Sequence, residues 1–334
     1  MAMRSRAALI CLLTAAAGLV VPRNAAMARD SVTFQANWLI QGENAYMVAG
    51  REKGFYAEEG IDITLNRGFG SGDTIKKIAT GAADIGTADV GVLMLSRLRE
   101  GLPVRCISTE YTYSPQGVWA LESGPIHGIA DLAGKRFGIT PGNSLSVYFP
   151  LLAEANKLDM NTVHFINMEA SALLPTLLAG QIDAMPGFAT NFDLRNDAAR
   201  AQGKPMHDFA LAENGVRVYG ECQIVTERTI ATKPDLLRRY LRATRHALEW
   251  SRDHPEETAH LISASYPELD EKAVLVNHKA YMDYVFNAQS AKTGIGGFDT
   301  HQLQVTLDAV RKAQGITETI DLNTIVDASF LPPK

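Results

Sequence analysis

Cysteine is scarce: the 334-residue chain has three, Cys11, Cys106 and Cys222, with no CxxC pair among them. That excludes a cysteine-rich zinc cluster and a thioredoxin-like redox centre. Short catalytic signatures are missing as well. The eight histidines form no HExxH pair, and no phosphate-binding GxxxxGK[ST] loop or GxSxG elbow occurs. Asp253-His254 and His278 sit in helical, polar stretches and read as surface or packing residues, so no metal and no cofactor are expected. Long apolar runs are also lacking. Ala7 to Val21 forms one, and no later segment approaches the length of a membrane span.

That early run has the form of an address. Arg4 and Arg6 precede it and Ala26-Met27-Ala28 follows it, matching the charged, apolar and small-residue parts of a cleavable export signal over residues 1–28. Cys11 falls inside the apolar run, ahead of the cleavage site, which argues against a lipid anchor there. Loss of this segment removes Arg4, Arg6 and Arg23 and no acidic residue, taking the formal charge from −5 to −8. An acidic chain of this kind disfavours nucleic acid or an anionic membrane as a general partner. An oxidising compartment permits a bond between Cys106 and Cys222, but their spacing gives no geometry, and two separate thiols are expected.

With 46% apolar and 21% charged residues overall, the chain is rich enough in core-forming side chains to exclude disorder. Its pattern alternates strands and helices. Val32 to Trp38 and Ile61 to Leu65 have the period of two expected of strands, with a helix from Ala45 to Lys53 between them. Gly70-Ser71-Gly72-Asp73 opens a helix that Gly81 stops. Asp84 to Thr87 is a strand, Asp89 caps a helix from Val90 to Arg99, and Val104 to Ser108 is the next strand. Further on, Lys135 to Thr140 and Val163 to Asn167 read as strands around a helix from Val147 to Lys157. The segments Tyr111–Ala120 and Val216–Thr226 read as crossings between lobes, and helices fit Leu236–Trp250, Pro255–Ser263 and Asp270–Phe286.

One pattern occurs twice. Ile78-Ala79-Thr80-Gly81-Ala82-Ala83-Asp84-Ile85 is echoed by Leu177-Leu178-Ala179-Gly180-Gln181-Ile182-Asp183-Ala184, each reading as helix end, glycine stop and strand start. Two similarly built α/β lobes follow, residues 29–115 with 221–334 forming one and 116–220 the other. Each is expected to be a mixed, mostly parallel sheet flanked by helices, with a cleft between them.

Open α/β sheets bind ligands beyond the carboxyl ends of their strands, which singles out Asn37 and Trp38. Trp38 can stack on a planar ligand, and Tyr46, Tyr111, Tyr113, Trp119 and Phe188 are further candidate aromatic walls; each is equally explicable as core. The loops holding Ser71 and Gly72, and Asn143 and Ser144, follow strands and precede helices, so their backbone donors can face a polar ligand or simply cap the helix. Glu169 and Glu221 can accept from an amino group, and Asn191 offers an amide.

Several blocks carry a resemblance. Asn37-Trp38, the run from Ala49 to Ile63 containing Glu52-Lys53-Gly54-Phe55-Tyr56, the run from Gly81 to Gly86, Asp131 to Gly138 and Leu178 to Ala184 together resemble the NMT1/THI5-like (SsuA-like) periplasmic substrate-binding family over nearly all of the chain after residue 28. The resemblance implies a type II periplasmic binding protein fold and a monomer that closes on a small solute and delivers it to an ABC-type permease. It also implies a ligand class that includes thiamine-precursor pyrimidines, riboflavin, alkanesulfonates, nitrate and aromatic acids. A thiamine-precursor-like ring is the first expectation, although Leu39-Ile40-Gln41-Gly42-Glu43-Asn44 departs from the Pro-Asn and His stretch of those binders. An exported ligand sensor is the alternative in another class. A pyrimidine-forming enzyme is a further one, but the cysteine-rich motif of those synthases is missing here.

Overall fold

The computed structural model describes residues 29–333; the export segment read at residues 1–28 lies outside the described residues. Ten strands occur among them: β1 (Asp30–Gln35), β2 (Ile61–Asn66), β3 (Ile85–Asp89), β4 (Val104–Thr109), β5 (Gln116–Leu121), β6 (Arg136–Ile139), β7 (His164–Asn167), β8 (Ala184–Phe188), β9 (Met206–Ala210) and β10 (Glu221–Thr226). They form two five-stranded sheets, ordered β2-β1-β3-β10-β4 and β7-β6-β8-β5-β9. The molecule is a two-lobed α/β protein with mixed sheets flanked by helices.

Both sheets follow one plan. In the first, β1 runs parallel to β2 and β3, while β10 lies antiparallel between β3 and β4. In the second, β6 runs parallel to β7 and β8, while β5 lies antiparallel between β8 and β9. In each case the antiparallel strand is the one entered from the other lobe. The two stretches read as crossings therefore end as strands, β5 and β10, so half the pairings in each sheet are antiparallel.

The repeated sequence pattern has a repeated job. Gly81 (φ 77°) and Gly180 (φ 69°) stop their helices in the left-handed region, where a side chain would be strained. Immediately after, Asp84 accepts from the Thr33 N–H at 2.9 Å and Asp183 from the Arg136 N–H at 2.8 Å. Asp84 thus pins β3 to β1, and Asp183 pins β8 to β6. Asp183 is further held by the Arg136 guanidinium, which keeps its pKa below the ordinary carboxylate value.

Apolar periodicity places the core. The helix Pro234–Asp253 buries Leu237, Tyr240, Leu241, Ala247 and Leu248, a stripe at three- and four-residue spacing that packs on Val32, Phe34, Ile61 and Ile63 of β1 and β2. Each large apolar side chain so buried contributes about 1.5–3 kcal/mol. The last long helix, Thr300–Gln314, lies against both the helix Val90–Glu100 and the helix Leu145–Ala155, bridging the lobes. His278 is fully buried, with ring nitrogens facing the Gly42 and Ser251 carbonyls.

The expectation of two separate thiols is corrected. Cys106 on β4 and Cys222 on β10 are joined by a disulfide, with Cα atoms 5.7 Å apart across 116 residues of sequence. They become neighbours because β10 returns from the second lobe beside β4, where the register shifts between Gln223 and Ile224. No spacing rule reveals that return.

Candidate functional site

A cavity of about 350 Å³ lies where the strand ends of the two lobes face each other. From the first lobe come Asn37 and Trp38 beyond β1 and Gly70 and Ser71 beyond β2. From the second come Asn143 and Ser144 beyond β6, Phe188 at the end of β8, and Trp119 and Gln116 on β5. This is the position expected of a crevice beyond the carboxyl ends of parallel strands.

The aromatic walls are fixed by packing. Trp38 reaches over to the apolar cluster of the second lobe that contains Trp119, Leu173, Leu177 and Met185. Trp119 is itself held edge-on by Phe192, with ring centroids 5.5 Å apart. Leu173, Leu174, Pro175, Met185 and Pro186 complete an apolar lining.

Polar groups rim that lining. The side-chain amide of Asn37 donates to the buried Glu221 carboxyl, which lies behind it. Burial holds Glu221 well above the ordinary carboxylate pKa, and the nearby Glu43, Glu110 and Asp89 push it further in the same direction. Gln116 donates through Nε2 to Asp89 Oδ2 at 2.9 Å, which fixes the orientation of its amide. Glu43 sits in the short turn Gly42–Asn44 and accepts from Tyr111 Oη at 3.1 Å and from Gln41 Nε2 at 3.3 Å. Its carboxyl is pushed up to about 7 by burial, against the pull of those hydrogen bonds and of Arg195.

Of the residues expected from sequence, Asn37, Trp38, Ser71, Trp119, Asn143, Ser144, Phe188 and Asn191 line this cavity. Six lie elsewhere. Gly72 is one residue inside the helix Ser71–Thr80, and Glu169 is exposed at the start of the helix Ala170–Leu178, next to the lining residues Ala170 and Ser171. Tyr46 and Tyr111 are buried behind the wall, donating to Glu110 and Glu43. Glu221 stands behind Asn37. Tyr113 is 46% exposed, packs at a tilt against Tyr284 with ring centroids 4.7 Å apart, and borders a separate cleft beside the two crossings.

Gln41, Glu43, Gln116 and Arg195 line the cavity without having been singled out. Gln116 carries a usable signal: it is a polar residue opening a strand that is otherwise apolar. Pro186 inside β8 is another, since proline in a paired strand marks an irregular use of that strand. Glu43 and Arg195 carry none, because their convergence depends on both lobes. Among the described residues, no group of three or more His, Cys, Asp or Glu is placed to hold a metal ion.

This two-lobed fold with its strand-end cleft is that of periplasmic binding proteins. The alkanesulfonate-binding protein SsuA from Xanthomonas axonopodis pv. citri, solved bound to MOPS, matches with a TM-score of 0.65 at 14% identity, over 90% of this chain and 98% of that one. The family model described as NMT1/THI5 like matches residues 41–258, and the chain belongs to that family. The riboflavin-binding protein RibY of Chloroflexus aurantiacus is 26% identical over 92% of this chain and 88% of its own length. A 4-amino-5-hydroxymethyl-2-methylpyrimidine phosphate synthase of Legionella pneumophila is 24% identical over 72% of this chain and 75% of its own.

Proposed function

We propose that the protein is the exported, monomeric solute-binding component of an ABC-type importer, capturing a small planar heteroaromatic solute and presenting it to a permease. The observation that carries this reading is the cavity itself, whose lining brings Trp38 and Trp119 from different lobes into one apolar slot rimmed by amides. Residues 29–115 with 221–334 and residues 116–220 act as the two closing lobes, joined by the crossings. Ring burial supplies affinity, and the rim penalises a ring whose polar atoms are misplaced. The slot residues Asn37, Trp38, Ser71, Trp119, Asn143, Ser144, Phe188 and Asn191 form the contact set.

The relatives named above include both a riboflavin binder and a pyrimidine synthase, which supports a heterocyclic ligand and leaves turnover as the competing idea. Ser71 Oγ is taken up by the Asp89 N–H at 3.0 Å, which supports a packing use of that hydroxyl and binding without chemistry. Native mass spectrometry of gently purified protein, followed by calorimetric titration with riboflavin, aminopyrimidines, aromatic carboxylates and alkanesulfonates, tests it. One ring-containing ligand bound per chain and recovered unchanged is the expected result; product accumulation would assign an enzyme instead.

A further inference from the structure

The cavity has two ionisable walls, and they come from opposite lobes. Glu43, 8% exposed, lies in the turn after β1. Arg195 lies on the helix Ala189–Arg200 of the second lobe, one turn after Asn191, so both present the same helix face to the cavity. A single buried side chain sets their separation. Asn277 accepts from the Glu43 N–H at 3.0 Å through Oδ1 and donates to the Thr190 carbonyl at 2.9 Å through Nδ2. The turn of Glu43 is thereby clamped to the first turn of the helix that carries Arg195.

Arg195 is half-buried, and among the described residues no carboxylate lies within ion-pair distance of it. Its guanidinium has five N–H donors and no acceptor capacity, and with no protein acceptor those donors stay open to water or to a ligand that displaces it. Glu43 presents the opposite chemistry, a carboxyl already oriented by Tyr111 and Gln41.

We propose that Glu43 and Arg195 together read one edge of the ligand, Glu43 taking an N–H donor and Arg195 giving to the carbonyl oxygen or ring nitrogen beside it. This rests on the solute-binding reading above and narrows it to neutral heterocycles with adjacent donor and acceptor, such as cyclic imides and aminopyrimidines. A full anion satisfies Arg195 but meets the Glu43 carboxyl, and a full cation meets the reverse conflict. A ligand bridging the two side chains also ties one lobe to the other, so the group that is recognised is the group that favours closure.

Calorimetric titration of the whole protein with two matched pairs tests the assignment: riboflavin against 3-methylriboflavin, and 4-amino-2-methylpyrimidine against its 4-dimethylamino analogue. Hexanesulfonate serves as the anion. The expected result is a preference of about tenfold or more for the N–H member of one pair, equivalent to about 1.4 kcal/mol. Arg195→Met and Glu43→Met should each reduce that preference to within about twofold. Arg195 is on the more exposed wall, so its variant keeps the test usable if Glu43→Met fails to fold. Equal binding of the two members in every pair that the wild type binds, or an unchanged preference in Arg195→Met, overturns the edge-reading assignment and leaves the heterocycle reading standing. Binding of hexanesulfonate alone, with none of the four rings bound, overturns both.

Discussion

The Tyr148 hydroxyl donates to Asp89 Oδ1 at 2.9 Å, joining a helix of the second lobe to the end of β3 in the first. The same carboxyl caps the helix Val90–Glu100 through the Val92 N–H at 3.0 Å and receives Gln116 Nε2 at 2.9 Å. Asp89 is fully buried, so its three donors replace the water it lost. Tyr148→Phe removes one of them and should lower stability by about 1–3 kcal/mol, seen as a melting temperature several degrees lower. A double-mutant cycle with Asp89→Asn should show coupling above about 0.5 kcal/mol. Strict additivity would mean that the contact contributes nothing across the lobes.

Burial lifts Asp89 from its ordinary 3.8, and Glu43 from its ordinary 4.5, to about 7. Between those values the folded chain retains protons that the unfolded chain has released. Stability from this source is therefore complete below the unfolded pKa values and is lost as pH rises through about 7. Each group contributes a slope of up to about 1.4 kcal/mol per pH unit. Melting temperature should fall between about pH 5 and about pH 8, and Asp89→Asn with Glu43→Gln should flatten the decline. A wild-type profile that rises over this range contradicts the burial-driven shifts.

Much of the architecture is legible in the residues themselves. The first four strands, the cap at Asp89 and the twin patterns ending in Asp84 and Asp183 are local: alternation, a capping carboxylate and a glycine stop act within a few residues. Asn37 and Trp38 are legible for the same reason, since a strand end identifies itself. What stays hidden depends on distant chain segments meeting. Tyr46 and Tyr111 look like candidate ligand walls until the buried carboxyls they serve, Glu110 and Glu43, are seen behind the wall. Glu43 and Arg195 converge only once the second lobe is placed against the first.

The Cys106–Cys222 bond is the clearest case of that kind, and it encloses the entire second lobe within one covalent loop of 116 residues. Closing a loop of this size reduces the freedom of the unfolded chain, a contribution of about 4–5 kcal/mol in the chain-entropy account. Cys106→Ser with Cys222→Ser should therefore cost several kcal/mol and shift the denaturation midpoint markedly. Thiol titration of the denatured, unreduced protein provides the direct check. Neither of these two cysteines should react, and two reactive thiols at these positions would remove the bond.

Two loops, one beyond β2 and one beyond β6, come into backbone contact at Gly70 and Gly142. Gly70 has φ +113°, and a Cβ built there would lie 2.6 Å from the Gly142 carbonyl oxygen, well inside van der Waals contact. Both the backbone conformation and the approach exclude a side chain, and the neighbouring Ser71 and Asn143 line the cavity. Gly70→Ala should strain its own loop yet leave each lobe's core intact, because the added methyl group meets the other lobe's loop and not a core. It should hold the lobes apart. Small-angle scattering with saturating ligand is expected to give a larger radius of gyration than the wild type, and affinity should fall by about tenfold or more, mostly through faster dissociation. Unchanged affinity and an unchanged radius would show that the loops need not meet for the ligand to be enclosed.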